Sequence, residues 1–185
     1  PSTTTTEIHW TYVGAFTLIH IAACFVFMPW LFSWFGVGML VVMHYCCATI
    51  GSSVCFHRML AHRSFKSPKW LEYIFATFGV CSLQDSPARW VAVHRRHHQY
   101  TDAQDDPHSP LVSFFWGHFE WVIVKNEALS TGGFYDKYAR DMLRDPYYFF
   151  LERNAMWFLV YLAHAGLIFS IGFGVGCFWT FEGME

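Results

Sequence analysis

Charged side chains are what this sequence lacks most. Asp, Glu, Lys and Arg make up 14% of its 185 residues, where an ordinary soluble domain carries about 25%. None occurs from Thr11 to Phe56, 46 residues in a row, or from Asn154 to Phe181, a further 28. A bilayer crossing needs about 20 apolar residues at 1.5 Å rise each, so the first run holds two spans and the second holds one. Disulfide chemistry is missing as well. The six cysteines, at 24, 46, 47, 55, 81 and 177, sit in apolar surroundings without the spacing of a disulfide framework or a zinc ribbon, and read as small core or lipid-facing residues. The absence of H-E-x-x-H removes a zincin protease, and the absence of cysteine pairs near the histidines removes zinc fingers and zinc deaminases. The chain opens at Pro1 without a basic n-region or a small-residue cleavage site. Its first apolar segment is therefore expected to be a span and not a signal peptide, behind a trimmed N-terminus.

What remains is apolar and aromatic. Hydrophobic residues reach 54% and aromatics 21%, with 20 Phe, 9 Trp and 9 Tyr, a balance suited to lipid-facing helices with aromatic belts. The fold expected is all-α: an integral membrane helical bundle forming a single domain over 1–185. Residues 11–56 form a transmembrane hairpin that turns around Pro29 to Gly38, where Trp30 and Trp34 are interfacial. Residues 154–181 form the third transmembrane helix, anchored by Glu152 and Arg153 and packed through Gly166, Gly172, Gly174 and Gly176. Between them, Trp70 to Leu83 and Leu111 to Val124 are too short to cross and read as interfacial helices. All 12 Lys and Arg fall between Arg58 and Arg153. Basic loops stay cytoplasmic, so 57–153 is expected to be a cytosolic cap, with the N-terminus on the same side and Glu185 opposite. The net charge of −2 is uninformative, but this placement of the basic residues reads as membrane topology, and no nucleic acid partner is expected.

Five of the eleven histidines form two dense groups, His57-x4-His62 in FHRMLAH and His94-x2-His97-His98 in VHRRHH. Convergent imidazoles ordinarily mean metal, and imidazole suits iron, copper, nickel and zinc alike. On an α-helix His94, His97 and His98 fall near one face, yet His97 and His98 diverge by about 100°. His57 and His62 would lie about 140° apart, too far to chelate one ion from a straight α-helix. Divergent ligands suit two metal ions better than one.

HRMLAH, followed about thirty residues later by HRRHH and then DDPHSP, resembles the first two histidine boxes of the membrane fatty acyl desaturases. LQDSPARW before the second box and GHFEW after DDPHSP resemble the delta-9 branch, which acts on saturated chains. The resemblance runs from the first hairpin to the third span. It implies two non-haem irons, with His57, His62, His94, His97 and His98 as metal ligands. It also implies O2 as co-substrate, an electron donor such as cytochrome b5 or ferredoxin, and a cis double bond placed in a fatty acyl-CoA or membrane acyl-lipid. Gln84 and Trp90 would line a bent substrate tunnel that selects one pair of otherwise equivalent methylenes. Asp106 would orient a ligand imidazole, with His108 beside it. The histidine boxes would face the cytoplasm at a bacterial inner membrane or the endoplasmic reticulum.

The family pattern also places a fourth span and an H-x-x-H-H box after the third span. Within these 185 residues only His108, His118 and His164 follow His98, none in that pattern. The chain is accordingly expected to be C-terminally truncated and, by itself, inactive. Ala92 and Val93 depart from the pattern of animal acyl-CoA enzymes, which carry charge there, and this leaves the acyl carrier open. Three other readings compete: a histidine-box hydroxylase or ketolase, a metal transporter or store, and a non-catalytic desaturase-like fragment. A transporter would place its ligands inside the spans. His20, His44 and His164, which do lie in the spans, read more simply as packing or hydrogen-bonding residues.

Overall fold

The computed structural model describes residues 4–182, so Glu185 lies outside the described residues. Three helical stretches are long and apolar enough to cross a membrane: Trp10–Phe27, Trp34–Ala61 and Pro146–Cys177. The chain divides into two compact units, Pro1–Phe32 with Ala88–Leu143, and Ser33–Pro87 with Arg144–Glu185.

In the first unit, helix α1 (Trp10–Cys24) presents Leu18, Ile21, Val26 and Phe27 outward, the last two on the 3₁₀ turn that extends it. Before α1 the all-helical expectation meets an exception. Strand β1 (Thr4–Ile8) pairs antiparallel with β2 (Val124–Asn126). Four of the five residues TTTEI are β-branched, and such side chains favour extended backbone. The second interfacial helix is also shorter than expected. Leu111 and Val112 sit in turns, a π-helical turn covers Trp116–Glu120, α5 is only Trp121–Ile123, and Val124 belongs to β2.

Helix α4 (Pro87–Tyr100) carries the second histidine group. It starts on proline, whose missing N–H costs nothing at the first helical position. The loop before it is tightly bent, with Leu83 at φ 57° and Asp85 at φ 85°, and the Asp85 carboxylate accepts from Ser86 N–H at 2.8 Å. Arg95, next to His94 in sequence, clamps the helix. Its guanidinium donates to both Asp141 carboxylate oxygens at 2.7 and 3.0 Å and to the Tyr138 carbonyl at 2.7 Å. Those acceptors lie on α6 (Gly132–Tyr138) and α7 (Arg140–Leu143). A fork held this way fixes both position and rotation.

In the second unit, α2 (Trp34–His44) begins one residue after Ser33, whose hydroxyl accepts from Gly36 N–H at 3.0 Å. This cap ends the expected turn early, because Trp34 to Gly38 are already helical. The helix then continues without a break as a π-helix, Tyr45–Ala61. The first histidine group is therefore borne on the second span's own helix and does not follow it. Against this π segment lies α3 (Lys69–Cys81), the expected first interfacial helix, burying Cys55, Phe56, Met59 and Leu60 on one side and Ala76 and Val80 on the other. Between membrane helices there is no hydrophobic driving force, and close backbone approach takes its place. Gly51 supplies it: a Cβ there would stand 2.2 Å from the Gly79 nitrogen. At the packing glycines expected at 166, 172, 174 and 176, an added Cβ would meet nothing within 4 Å, so no described residue packs closely against the third span there.

The third span runs as α8 (Pro146–Glu152), a kink with Asn154 at φ 52° and Ala155 at φ 54°, and α9 (Met156–Glu182). Asp145 ties α8 to α3. It caps Tyr147 N–H at 3.0 Å and accepts from Lys69 Nζ at 2.8 Å and Tyr73 Oη at 3.1 Å. Burial raises its pKa, but the Lys69 and Tyr147 hydrogen bonds outweigh that and hold it below the usual carboxylate value. Its contribution is therefore complete above the unfolded-state pKa, about 3.9, and vanishes as pH falls through the lower folded value. The melting temperature in detergent is expected to fall as pH drops below about 4. Asp145→Asn should melt lower at neutral pH and lose most of that acid limb; an unchanged limb would refute the assignment.

Candidate metal centre

The first histidine group does not splay. His57 Nε2 and His62 Nε2 stand 3.1 Å apart, with ring centroids at 4.6 Å and planes at 85°. This corrects the expected 140° divergence, and the reason lies in the backbone. His62 N–H donates to the His57 carbonyl at 3.0 Å, an i→i+5 bond that brings residues five apart onto one face.

The second group divides as its spacing implies. His94 and His98, one α-turn apart, bring their Nε2 atoms to 3.1 Å, while His97 points elsewhere, with Nδ1 2.8 Å from Asp106 Oδ1. Asp106 is buried and also accepts from the backbone N–H groups of Asp102 at 3.0 Å and His108 at 3.1 Å. Burial works against its charge, yet these hydrogen bonds prevail and its pKa lies below the ordinary value. An ionised carboxylate only accepts, so His97 Nδ1 donates to it and leaves Nε2 as the ring nitrogen that could serve as a ligand. His108 stacks on His97 at 4.2 Å. Burial, with His97 beside it, lowers the His108 pKa, which favours the neutral imidazole. One ligand atom from each of His97, Asp106 and His108 lies within 4.8 Å of the others.

The donor set fits a metal. Two cis nitrogens at about 2.1 Å from one ion are separated by roughly 3 Å, which is the spacing of both Nε2 pairs. Trp90 stacks on His94 at 4.8 Å and 22°, and Gln84 is exposed in the loop before α4. His118 lines, with His20, a mainly apolar cavity of about 570 Å³ in the first unit.

A model of the fatty acid desaturase family matches residues 32–182. The chain belongs to this family. It is 37% identical over 167 residues to the sn-2 palmitoyl-lipid 9-desaturase of Nostoc sp. (strain 36), covering 90% of this chain and 57% of that protein. With the delta-9 acyl-lipid desaturase 1 of Arabidopsis thaliana it shares 36% over 175 residues, 89% of this chain and 55% of the other. With an acyl-CoA 5-desaturase of Anemone leveillei it shares 42% over 144 residues, 78% and 44%. The chain spans about half the length of the curated relatives it matches.

Family membership and three apolar helices make this desaturase-family chain an integral membrane protein. Arg95 and Asp141 are the site-shaping residues that the sequence reading missed. A basic residue inside a histidine box was the available signal, and it reads equally as a topology charge. Asp106→Asn is expected to leave the fold intact and to weaken metal retention by about 10- to 100-fold, the usual cost of losing a ligand's hydrogen-bonded carboxylate. Metal analysis of purified protein checks this, and retention equal to wild type would refute it.

Proposed function

We propose that this protein takes part in the O2-dependent introduction of a cis double bond, at the delta-9 position, into the saturated chain of a membrane acyl-lipid or acyl-CoA. The observation that carries the proposal is the pair of imidazole couples, each with Nε2 atoms 3.1 Å apart, in a chain whose relatives bear desaturase names. His57, His62, His94, His97 and His98 would contribute to holding two non-haem irons. When bound, the irons supply O2 activation with electrons from a donor of the cytochrome b5 or ferredoxin type.

The protein's own residues have positional tasks. Asp106 fixes the His97 tautomer and ring orientation. Arg95 holds the rotation of α4 and so the direction of His94 and His98. Trp90 covers one face of His94 with an apolar ring, suited to a chain that offers only methylenes, and Gln84 would contribute to the same substrate path. Ala92 and Val93 are buried, so they offer a phosphorylated acyl carrier nothing to bind. That favours acyl-lipid over acyl-CoA. The run of basic residues between Arg58 and Arg153 supports a cytoplasmic position for the histidine boxes.

Expressing the complete open reading frame in a host with a known fatty acid profile, and reading methyl esters by gas chromatography with mass spectrometry, tests the proposal. A new delta-9 monounsaturated ester is expected. A hydroxylated ester would reassign the protein to the related hydroxylases, and no new ester would overturn the desaturase reading.

A further inference from the structure

Two histidine pairs of different sequence spacing present the same donor separation. His94 and His98 are four residues apart, His57 and His62 are five apart, and both Nε2 distances are 3.1 Å. The first pair lies on α4, where α-helical hydrogen bonds step i→i+4. The second closes the π segment, where they step i→i+5. Each pair therefore spans one hydrogen-bond step of its own helix. The i+5 step is not confined to the last turn, since the Ser53 hydroxyl donates to the Ala48 carbonyl, five residues back, at 3.3 Å.

We infer that the π register of Tyr45–Ala61 is the positioning element that makes His57 and His62 a chelating pair, so that helix step, and not residue count, decides ligation in this box. An α register would splay the two rings by about 140°. A π-helix is rare and usually lasts a single turn, so a long one needs tertiary support. That support is visible: Cys55, Phe56, Met59 and Leu60 are buried, and the backbone at Gly51 meets that of Phe78 and Gly79.

The inference rests on His57 and His62 being iron ligands, and its test separates the two claims. In the full chain, iron content by mass spectrometry is compared for wild type, His62→Ala, Ala61→His, and the double variant Ala61→His/His62→Ala. His62→Ala is expected to lose iron at least about tenfold, Ala61→His to keep it, and the double variant, whose pair is four apart, to lose it as His62→Ala does. Iron retained by the double variant would overturn the π-register inference while leaving the ligand reading intact. Iron retained by His62→Ala would instead overturn the ligand reading.

Should a histidine at 61 prevent folding, the register is read further along the same helix at exposed Ser53 and Arg58. Ni²⁺ is expected to raise the melting temperature of Ser53→His/Arg58→His, five apart, and not that of Ser53→His alone, which lies four from His57. The reverse pattern, or a shift in neither variant, would overturn the inference.

Discussion

Replacing His94 or His98 with Ala is expected to lower both the iron content and the unsaturated product of the complete protein by at least about 100-fold. The bound is set by comparison. Loss of a hydrogen-bonded outer partner such as Asp106 already costs about 10- to 100-fold, and a ligand nitrogen acts on the ion without an intermediary. The two side chains are equivalent in this respect, since each contributes one half of a donor pair whose nitrogens stand 3.1 Å apart. Either substitution leaves a single imidazole where two were preorganised. Trp90 loses its stacking partner in His94→Ala but not in His98→Ala, so a deficit common to both variants belongs to the metal, and any excess in the first belongs to the stack. His164→Ala supplies the contrast. His164 lies on α9 in a pocket with Cys47 and Cys81, outside both histidine groups, and its replacement should leave iron content unchanged. Iron-replete, active His94→Ala and His98→Ala would remove the second box from the site altogether.

The parts of this protein that could be read from its sequence are those in which one physical demand controls the residues. Hydrocarbon disfavours charge, so the uncharged runs at 11–56 and 154–181 overlap the three helical stretches long and apolar enough to cross a membrane, although Trp34–Ala61 and Pro146–Cys177 extend past the runs to take in Arg58, Glu152 and Arg153. Helical periodicity puts His94, His97 and His98 near one face with His97 and His98 about 100° apart, and the structure keeps that divergence because α4 is an ordinary α-helix, with His98 paired to His94 and His97 turned to Asp106. Where the backbone leaves the common forms, the residue pattern misleads. His-x4-His implies divergence only if the helix steps by four, and nothing in FHRMLAH signals a step of five. The glycines show the same limit. Four of them crowd the third span at positions where an added Cβ would meet nothing within 4 Å, while isolated Gly51 and Gly79 make the tight crossing, because close packing depends on which face the fold covers and not on how many small residues a helix holds. The β1–β2 ribbon was hidden for a related reason: its partners lie more than a hundred residues apart, and a strand of three residues has no pattern of its own.

That crossing carries the largest expected effect on stability. Gly51→Val should cost more than about 3 kcal/mol, above the usual range for overpacking, and so consume much of the 5–15 kcal/mol that separates folded from unfolded proteins. Overpacked side chains ordinarily find relief in rotamer changes, but here the obstacle is main chain: a Cβ at 51 would lie 2.2 Å from the nitrogen of Gly79 and 2.5 Å from the carbonyl carbon of Phe78. Relief requires moving α3 as a body, against the Asp145 bonds to Lys69 and Tyr73. At Gly79 the nearest atoms belong to the ring of Phe56, at 2.5 Å, a side chain that can shift only into its buried surroundings, so Gly79→Ala should cost less than Gly51→Val. Gly172→Val, in open space, should change little. Yield of monodisperse protein and melting temperature in detergent give the ranking. A milder Gly51→Ala variant that still folds should also retain less iron, because α3 buttresses the segment that ends in His57 and His62. A Gly51→Val protein that melts like wild type would show that the backbones do not meet at this crossing, and with it the tertiary support for the π-helix would be lost.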